Sequence, residues 1–196
     1  MKTATDMPAK SGGFPPGLAA LVAEAGQAAP SRPVERWNPP YCGEIDMRIA
    51  ADGTWFYRGS PIGRDALVRL FASILRREPD GRHVLVTPVE KVGITVEDAP
   101  FMAVEVASEG DGAERVLTFR TNVGDIVAAG LEHPLRFQTE SATNGLKPYV
   151  LIRGALEALA TRALQLELVA LAGEFGGRSG LWSGGVFFPF PESAHD

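Results

Sequence analysis

The dipeptide Asp52-Gly53, set between the runs "EIDMRIAA" and "TWFYRG", constrains this chain more than any other short stretch. A two-residue type I′ turn needs positive φ at both central positions, which Asp-Gly supplies, so the segment reads as a β-hairpin. With that turn, Ile49 pairs with Phe56, Arg48 with Tyr57 and Ala50 with Trp55. One face then holds Ile45, Met47, Ile49 and Phe56 and belongs to a core. The other holds Asp46, Arg48, Trp55 and Tyr57, more bulk than a solvated strand face carries, so a second layer is expected over it. A slip of one residue would exchange the two faces.

Hydrophobic spacing places the other elements. Leu18, Leu21, Val22 and Ala25 recur at helical intervals after Pro15-Pro16 and predict a short amphipathic helix, followed by the Pro-rich connector "PSRPVERWNPPYCG". A second helix is expected from about Arg64 to Arg77, with Leu67, Leu70, Phe71 and Ile74 on one stripe. "HVLVTP" and "KVGITVED" read as strands, and "FMAVEVASEGDGAERVLTFRTN" as a second hairpin turning at Glu109 to Glu114. "PLRFQ" is a further strand, and "VGDIVAAG" has no clear assignment. A third helix is expected from about Ala155 to Leu171, and the Gly-rich aromatic tail reads as an irregular lid. The chain divides into an N-terminal tail, helix and linker (1–36), an α+β half (37–100) and a second α+β half carrying the tail (101–196).

The order of parts repeats. "DGTWFYRGSPIGRDALVRLFASIL" and "NGLKPYVLIRGALEALATRALQLEL" each run from an Asp/Asn-Gly turn through an aromatic strand and an Ile-Gly-Arg or Ile-Arg-Gly corner to an Ala-Leu helix. The match needs a small gap, so duplication and coincidence both stand as readings. If the repeat is real, Tyr57 corresponds to Tyr149 and Arg64 to Arg153. Two such halves could cover each other's second faces, placing Asp46, Arg48, Trp55 and Tyr57 at the seam.

Composition narrows the chemistry. The formal net charge is −5 and no Lys/Arg stripe occurs, so a nucleic-acid polymer is not an expected partner. Fifteen of the nineteen basic residues are Arg, whose forked guanidinium suits a specific anion pocket. The single cysteine, Cys42, allows no intrachain disulfide, and a reducing cytoplasm fits. No apolar run approaches the roughly 20 residues of a membrane span. "GLAALVAEAGQAA" is interrupted by Glu24 and reads as a helix rather than a signal peptide.

Catalytic motifs are weak. No G-x-S-x-G elbow, HExxH, GxGxxG or P-loop occurs, and His83, His133 and His195 are scattered. Glu44 and Asp46 share a strand face and, with Asp52, could hold a hard cation, against the plainer reading of a solvated edge balanced by Arg48 and Arg58. "TNVGD" could offer backbone N–H groups and the Asn122 amide to an anion, or could be an ordinary turn capped by Asp125. The aromatic and guanidinium face of Arg48, Trp55 and Tyr57 suits a flat ligand through cation–π attraction, against the alternative of a buried interface between halves.

Taken in order, "WNPPYCGEIDMRIAADGTWFYRGSPIGR", "LVTPVEKVGITVEDAPF", "FRTNVGDIVAAG" and "YVLIRGALEAL" resemble the bacterial family DUF1285, over roughly Trp37 to Gly173. The resemblance implies a duplicated core of two α+β halves, the second superficially like a pleckstrin-homology fold. It also implies a ligand site at their interface for a nucleotide-based molecule and a role in signal transduction, and it brings no catalytic residues with it. The expectation is therefore an α+β protein that binds a small molecule without catalysis, its cofactors unknown. Asp46, Arg48, Trp55, Tyr57, Arg64, Asn122 and Arg153 are its candidate ligand contacts. The alternatives are a metal-assisted enzyme on a nucleotide or phosphate ester, using Glu44, Asp46 or Asp125, and a protein-interaction module using the aromatic tail around Trp182, Phe187, Phe188 and Phe190.

Overall fold

A computed structural model describes residues 13–23, 32–140, 143 and 145–191. Glu24, Ala25 and His195, and the Asn144 that opens "NGLKPY", lie outside them. The first described element is helix α1 (Pro16–Ala23), and between residue 32 and the first sheet lies one 3-10 turn (Val34–Arg36). Strands β1 (Tyr41–Ile49), β2 (Trp55–Tyr57) and β3 (Ser60–Pro61) lead into helix α2 (Asp65–Ser73), and β4 (Leu75–Arg77), β5 (His83–Val86) and β6 (Lys91–Val96) follow. These six strands form one sheet in the order β3-β2-β1-β6-β5-β4, antiparallel except at the central β1–β6 pair.

The second sheet is built from β7 (Phe101–Glu109), β8 (Val116–Thr121), β9 (Ile126–Ala128), β10 (Leu135–Thr139), β11 (Leu146–Arg153) and β12 (Leu156–Ala160). Its order is β10-β11-β12-β7-β8-β9, again with one parallel pair, β7–β12, at the centre. Read from the other edge, this is the first sheet's order strand for strand. In both, the first strand lies parallel to the sixth and each carries a three-stranded meander outward. The duplication is thus one of topology, over β1–β6 and β7–β12. The correspondence expected from the "DGTWFY" and "NGLKPY" segments is overturned: Tyr57 lies on a second strand and Tyr149 on a fifth.

The Asp-Gly hairpin forms, but in another register. Met47 pairs with Tyr57, Arg48 with Phe56 and Ile49 with Trp55. Ala50 N–H bonds to Thr54 O at 2.9 Å, Gly53 N–H bonds to Ala50 O at 2.9 Å, and Gly53 has φ +84°. The loop therefore has three residues, 51–53, with Gly53 in the left-handed position, and the extra residue exchanges the faces. Trp55 consequently joins Met47 and Ile49 in the core, 1% exposed and stacked on Phe71 with ring centres 6.1 Å apart. Asp46 and Arg48 point the other way, and the guanidinium of Arg48 lies over Phe56 at 4.3 Å.

Two expected helices give up part of their length to strands, one at its end and one at its start. The apolar stripe of α2 stops at Ser73, because Ile74 O accepts from Val86 N–H and Leu75 pairs with Leu85. Arg76 is drawn onto the carbonyls of Val34 (2.6 Å) and Trp37 (2.8 Å). The sequence "LEALA" favours helix by composition. It lies instead between β11 and β7, where Leu156, Ala158 and Ala160 alternate into the core, and the helix begins only at Arg162. Context overrides propensity there.

Helix α3 (Arg162–Ala170) is followed by β13 (Gly173–Phe175), β14 (Arg178–Ser183) and β15 (Val186–Pro189), an antiparallel three-stranded sheet in place of the expected irregular lid. Its two tight turns are Gly176-Gly177 and Gly184-Gly185, all four glycines at positive φ. Ser183, fully buried, ties this sheet down by accepting from Leu117 N–H (2.9 Å) and donating to Ala129 O (2.7 Å). One continuous apolar core runs through both halves, joining Leu18, Trp55 and Phe71 to Phe101, Phe119 and Leu168.

Helix α1 covers part of the first half. Phe14 stacks on Tyr57 at 4.3 Å, the Tyr57 hydroxyl donates to Gly13 O at 2.7 Å, and Leu18 is fully buried. The helix has no acidic residue in its own first turn. The buried carboxylate of Glu90 takes that role, accepting Leu18 N–H at 2.8 Å where the helix dipole favours negative charge.

Candidate functional site

The hinge between the sheets is the short turn 97–100, and charge gathers around it. Asp98 accepts the Tyr149 hydroxyl at 2.8 Å and is ion-paired with Lys147. Across the strand from Tyr149, Arg136 lays its guanidinium 4.1 Å from the ring centre. It also forks onto Glu157, Nε to Oε1 at 2.9 Å and Nη2 to Oε2 at 2.7 Å. These residues sit on the face of the second sheet turned away from the main core, where Tyr149 and Leu159 form a small apolar cluster with Ala99 and Met102.

The first sheet supplies the opposite wall. Arg77 and His83 are direct partners across β4 and β5, and Glu97 follows the end of β6. Together with Arg136, Gln138, Lys147, Tyr149 and Glu157 they enclose a cleft of about 310 Å³ at the seam. A second hollow of about 260 Å³ adjoins it past Asp98 and Lys147, bounded by Ala51, Leu159, Arg162 and Gln165.

Electrostatics fix the protonation states along this seam. Hydrogen bonding to Glu157 raises the pKa of Arg136, and the bond to Asp98 raises that of Lys147, so both stay cationic. Burial, then the hydrogen bond to Asp98, raises Tyr149, which keeps its proton and acts as a donor. His83 is pushed down to about 4, first by burial and then by the charge of Arg77, and is neutral near pH 7.

Among the seven residues singled out from sequence, none lines the cleft directly. Arg48 comes nearest, ion-paired to Glu97, whose other oxygen accepts Ala51 N–H at 3.0 Å. Asp46 is exposed on the outer face of β1. Trp55 is inside the core, its indole N–H without an acceptor among the described residues, and Tyr57 is covered by Phe14 rather than by the second half. Asn122 receives Met102 N–H at 3.0 Å and lies beside the hairpin tip, where a β-carbon on Gly53 would come within 2.6 Å of Met102 Cγ and 3.2 Å of Asn122 Nδ2. The tip of the first hairpin is thus seated on the second half.

Arg64 and Arg153 do not converge. Arg64 is exposed before the first turn of α2, whereas Arg153 binds Ala72 O (2.6 Å) at the opposite end of that helix, about 12 Å away. Arg153 also pairs with Asp125 at 2.7 Å and lies over Phe101, so it fastens α2 to the second sheet. That position suits a cation, because a helix C-terminus is its negative end.

The residues named for a metal are likewise apart: Glu44 and Asp46 face out from β1, and Asp125 is held by Arg153 in the other half. Among the described residues no group of three or more His, Cys, Asp or Glu is placed to hold a metal ion, and no helix is long and apolar enough to cross a membrane. In the tail, Phe175, Trp182 and Phe187 cluster with ring centres 5.0–5.4 Å apart and Phe175 exposed. Phe188 is buried and Phe190 packs edge-on against Phe137.

Sequence reasoning missed the cleft residues Arg77, Arg136, Lys147, Tyr149 and Glu157 as a set. One signal was present, since "PLRFQ" and "KPYVL" alternate charged or aromatic side chains with apolar ones and so mark a sheet with two occupied faces.

Comparison with known proteins bears on both halves. The family model described as "Domain of unknown function (DUF1285), N-terminal domain" matches residues 32–99, and "Protein of unknown function (DUF1285), C-terminal domain" matches residues 100–190. A crystal structure of a DUF1285 family protein from Silicibacter pomeroyi DSS-3 is 53% identical, with 86% of this chain and 93% of that chain covered and a TM-score of 0.81. Another, from Shewanella baltica OS155, is 27% identical over 64% of this chain and 91% of that one, with a TM-score of 0.50. No curated protein matches.

Proposed function

Because the chain belongs to the DUF1285 family through residues 32–190, we propose that it is a non-catalytic binding protein for a small, nucleotide-like molecule, held between its two sheets and serving signal transduction. The observation that carries this reading is the 310 Å³ seam cleft, with a tyrosine ring overlain by a guanidinium on one wall and a further arginine on the other. Its volume lies at the lower end of the roughly 300–1,000 Å³ range of small-molecule sites, so one compact ligand fits. Residues 101–196 enter this reading as the pleckstrin-homology-like half, a sheet followed by α3, whose outer face forms one wall.

The chemistry of the cleft favours binding over turnover. Among the described residues no serine, threonine or cysteine lines it, and its carboxylates are already engaged by Arg48, Lys147, Tyr149 and Arg136. With a pKa of about 4, His83 is a poor general base near pH 7. Of the residues chosen from sequence, Arg48 keeps a part here, through Glu97.

A melting-temperature screen against nucleotides and phosphorylated metabolites tests the reading. One compound should stabilise the protein by about 2.7 kcal/mol at a hundred times its Kd, without being consumed, and Arg136→Ala should remove most of that gain. Consumption of the compound, or full stabilisation of Arg136→Ala, would count against it.

A further inference from the structure

Counting charges around the 310 Å³ cleft leaves one cation over among the described residues. On the far wall Arg136 is matched by Glu157 and Lys147 by Asp98, and at the rim Glu97 is matched by Arg48 and the Ala51 N–H. Arg77 has no ion-pair partner among the described residues. Its neighbour Arg76 faces the other way and is spoken for by Glu78 and two backbone carbonyls. The side chain directly across the ladder from Arg77 is His83, and both line the cleft.

We propose that Arg77 and His83 form an oxyanion subsite in this cleft, taking the phosphate or carboxylate end of the bound molecule, with His83 gaining a proton from solvent as the anion arrives. The proposal rests on the seam being the binding site and adds which end of the ligand goes where. An oxyanion between the two side chains accepts from the guanidinium fork and from a ring N–H, and protonation of the imidazole makes that second bond charge-assisted.

The coupling follows from what surrounds His83. On its own sheet it faces Arg77 on β4, while its β6 partner Ile94 is uncharged. Across the cleft stand Arg136, Lys147, Tyr149 and Glu157, with Glu97 and Asp98 at the hinge. The paired groups largely cancel, so what holds the imidazole near 4 is burial first and then the unbalanced field of Arg77. An anion beside Arg77 offsets that second contribution and raises the imidazole part of the way from about 4 toward its ordinary value of about 6.5, burial being unchanged. Binding therefore takes up a proton between the two values, and affinity rises as pH falls through that window.

The experiment is an NMR titration of the imidazole C–H signals, in inorganic phosphate against sodium chloride at equal ionic strength. There are three histidines, and His83→Gln assigns the relevant signal. Phosphate should raise the His83 pKa by about one unit or more. In Arg77→Gln the pKa should already be raised without phosphate, and phosphate should no longer move it, whereas Arg77→Lys should keep part of the response. An identical His83 titration in the two salts overturns the subsite. If a nucleotide still stabilises the parent in the melting screen, the seam reading survives that result; if nothing stabilises it, both fall.

Discussion

In the first half the chain leaves its third strand through α2 before returning as the fourth, while in the second half the equivalent connection, residues 129–134, holds no helix. The second half places its helix, α3, after the sixth strand, and adds a three-stranded sheet that packs back through Ser183. One strand order thus tolerates two ways of covering its faces. Strand order is held by backbone pairing, which does not depend on side-chain identity. The covering depends on which apolar stripe each half must bury: α1 and α2 close over Trp55 and Tyr57, and α3 contributes Leu164 and Leu168 to the same core. A repeat of this kind is easier to see in topology than in residues.

The largest expected contrast lies between core and cover. Trp55→Ala empties a fully enclosed position of the first sheet and should cost about 3–5 kcal/mol in urea unfolding. Trp182→Ala, in the half-buried aromatic cluster of the tail sheet, should cost about 1 kcal/mol. Equal losses would mean that the tail sheet is as integral as the duplicated ones, and the division drawn above would fail.

Next in size is the contact between halves. Gly53→Ala faces both a φ of +84° and Met102 Cγ, so a loss of about 2–3 kcal/mol is expected. Gly59→Ala, at φ +75° with open space around it, should lose only about 1 kcal/mol. Matching losses would show that the hairpin tip is not seated on the second sheet.

How much of this could be read from sequence depends on what each feature rests on. β5, β6, β7, β8 and β10 were legible because β-branched and apolar runs between Gly and Pro breaks leave few alternatives. The hairpin was legible but its register was not: Asp-Gly serves two-residue and three-residue loops alike, and one residue decides whether Trp55 faces the core. "LEALA" misled because its propensity is helical while its neighbours are strands. The Gly-Gly pairs of the tail were a readable hairpin signal that the label of irregular lid passed over. The cleft lay furthest from view. Arg77 read as the last turn of a helix and His83 as the start of a strand, and only the β4–β5 pairing makes them neighbours.

The smallest effect tests the face that sequence favoured. Arg48→Ala removes an ion pair whose side chains are each about two-fifths exposed, and should cost less than about 1 kcal/mol by urea unfolding. A larger loss would mean that the outer face of β1 does carry a packed layer.

The seat of α1 has a consequence for where this protein can be cut. The matched family region opens at residue 32, yet Phe14 and Leu18 lie well upstream of it and fill the first half. Gly17 passes so close to Glu90 that a β-carbon there would stand 2.9 Å from Oε1. A fragment trimmed to the family limit would leave the Tyr57 ring bare and the buried Glu90 side chain without the Leu18 N–H it accepts. The packed first half therefore starts upstream of the residue at which the family match opens.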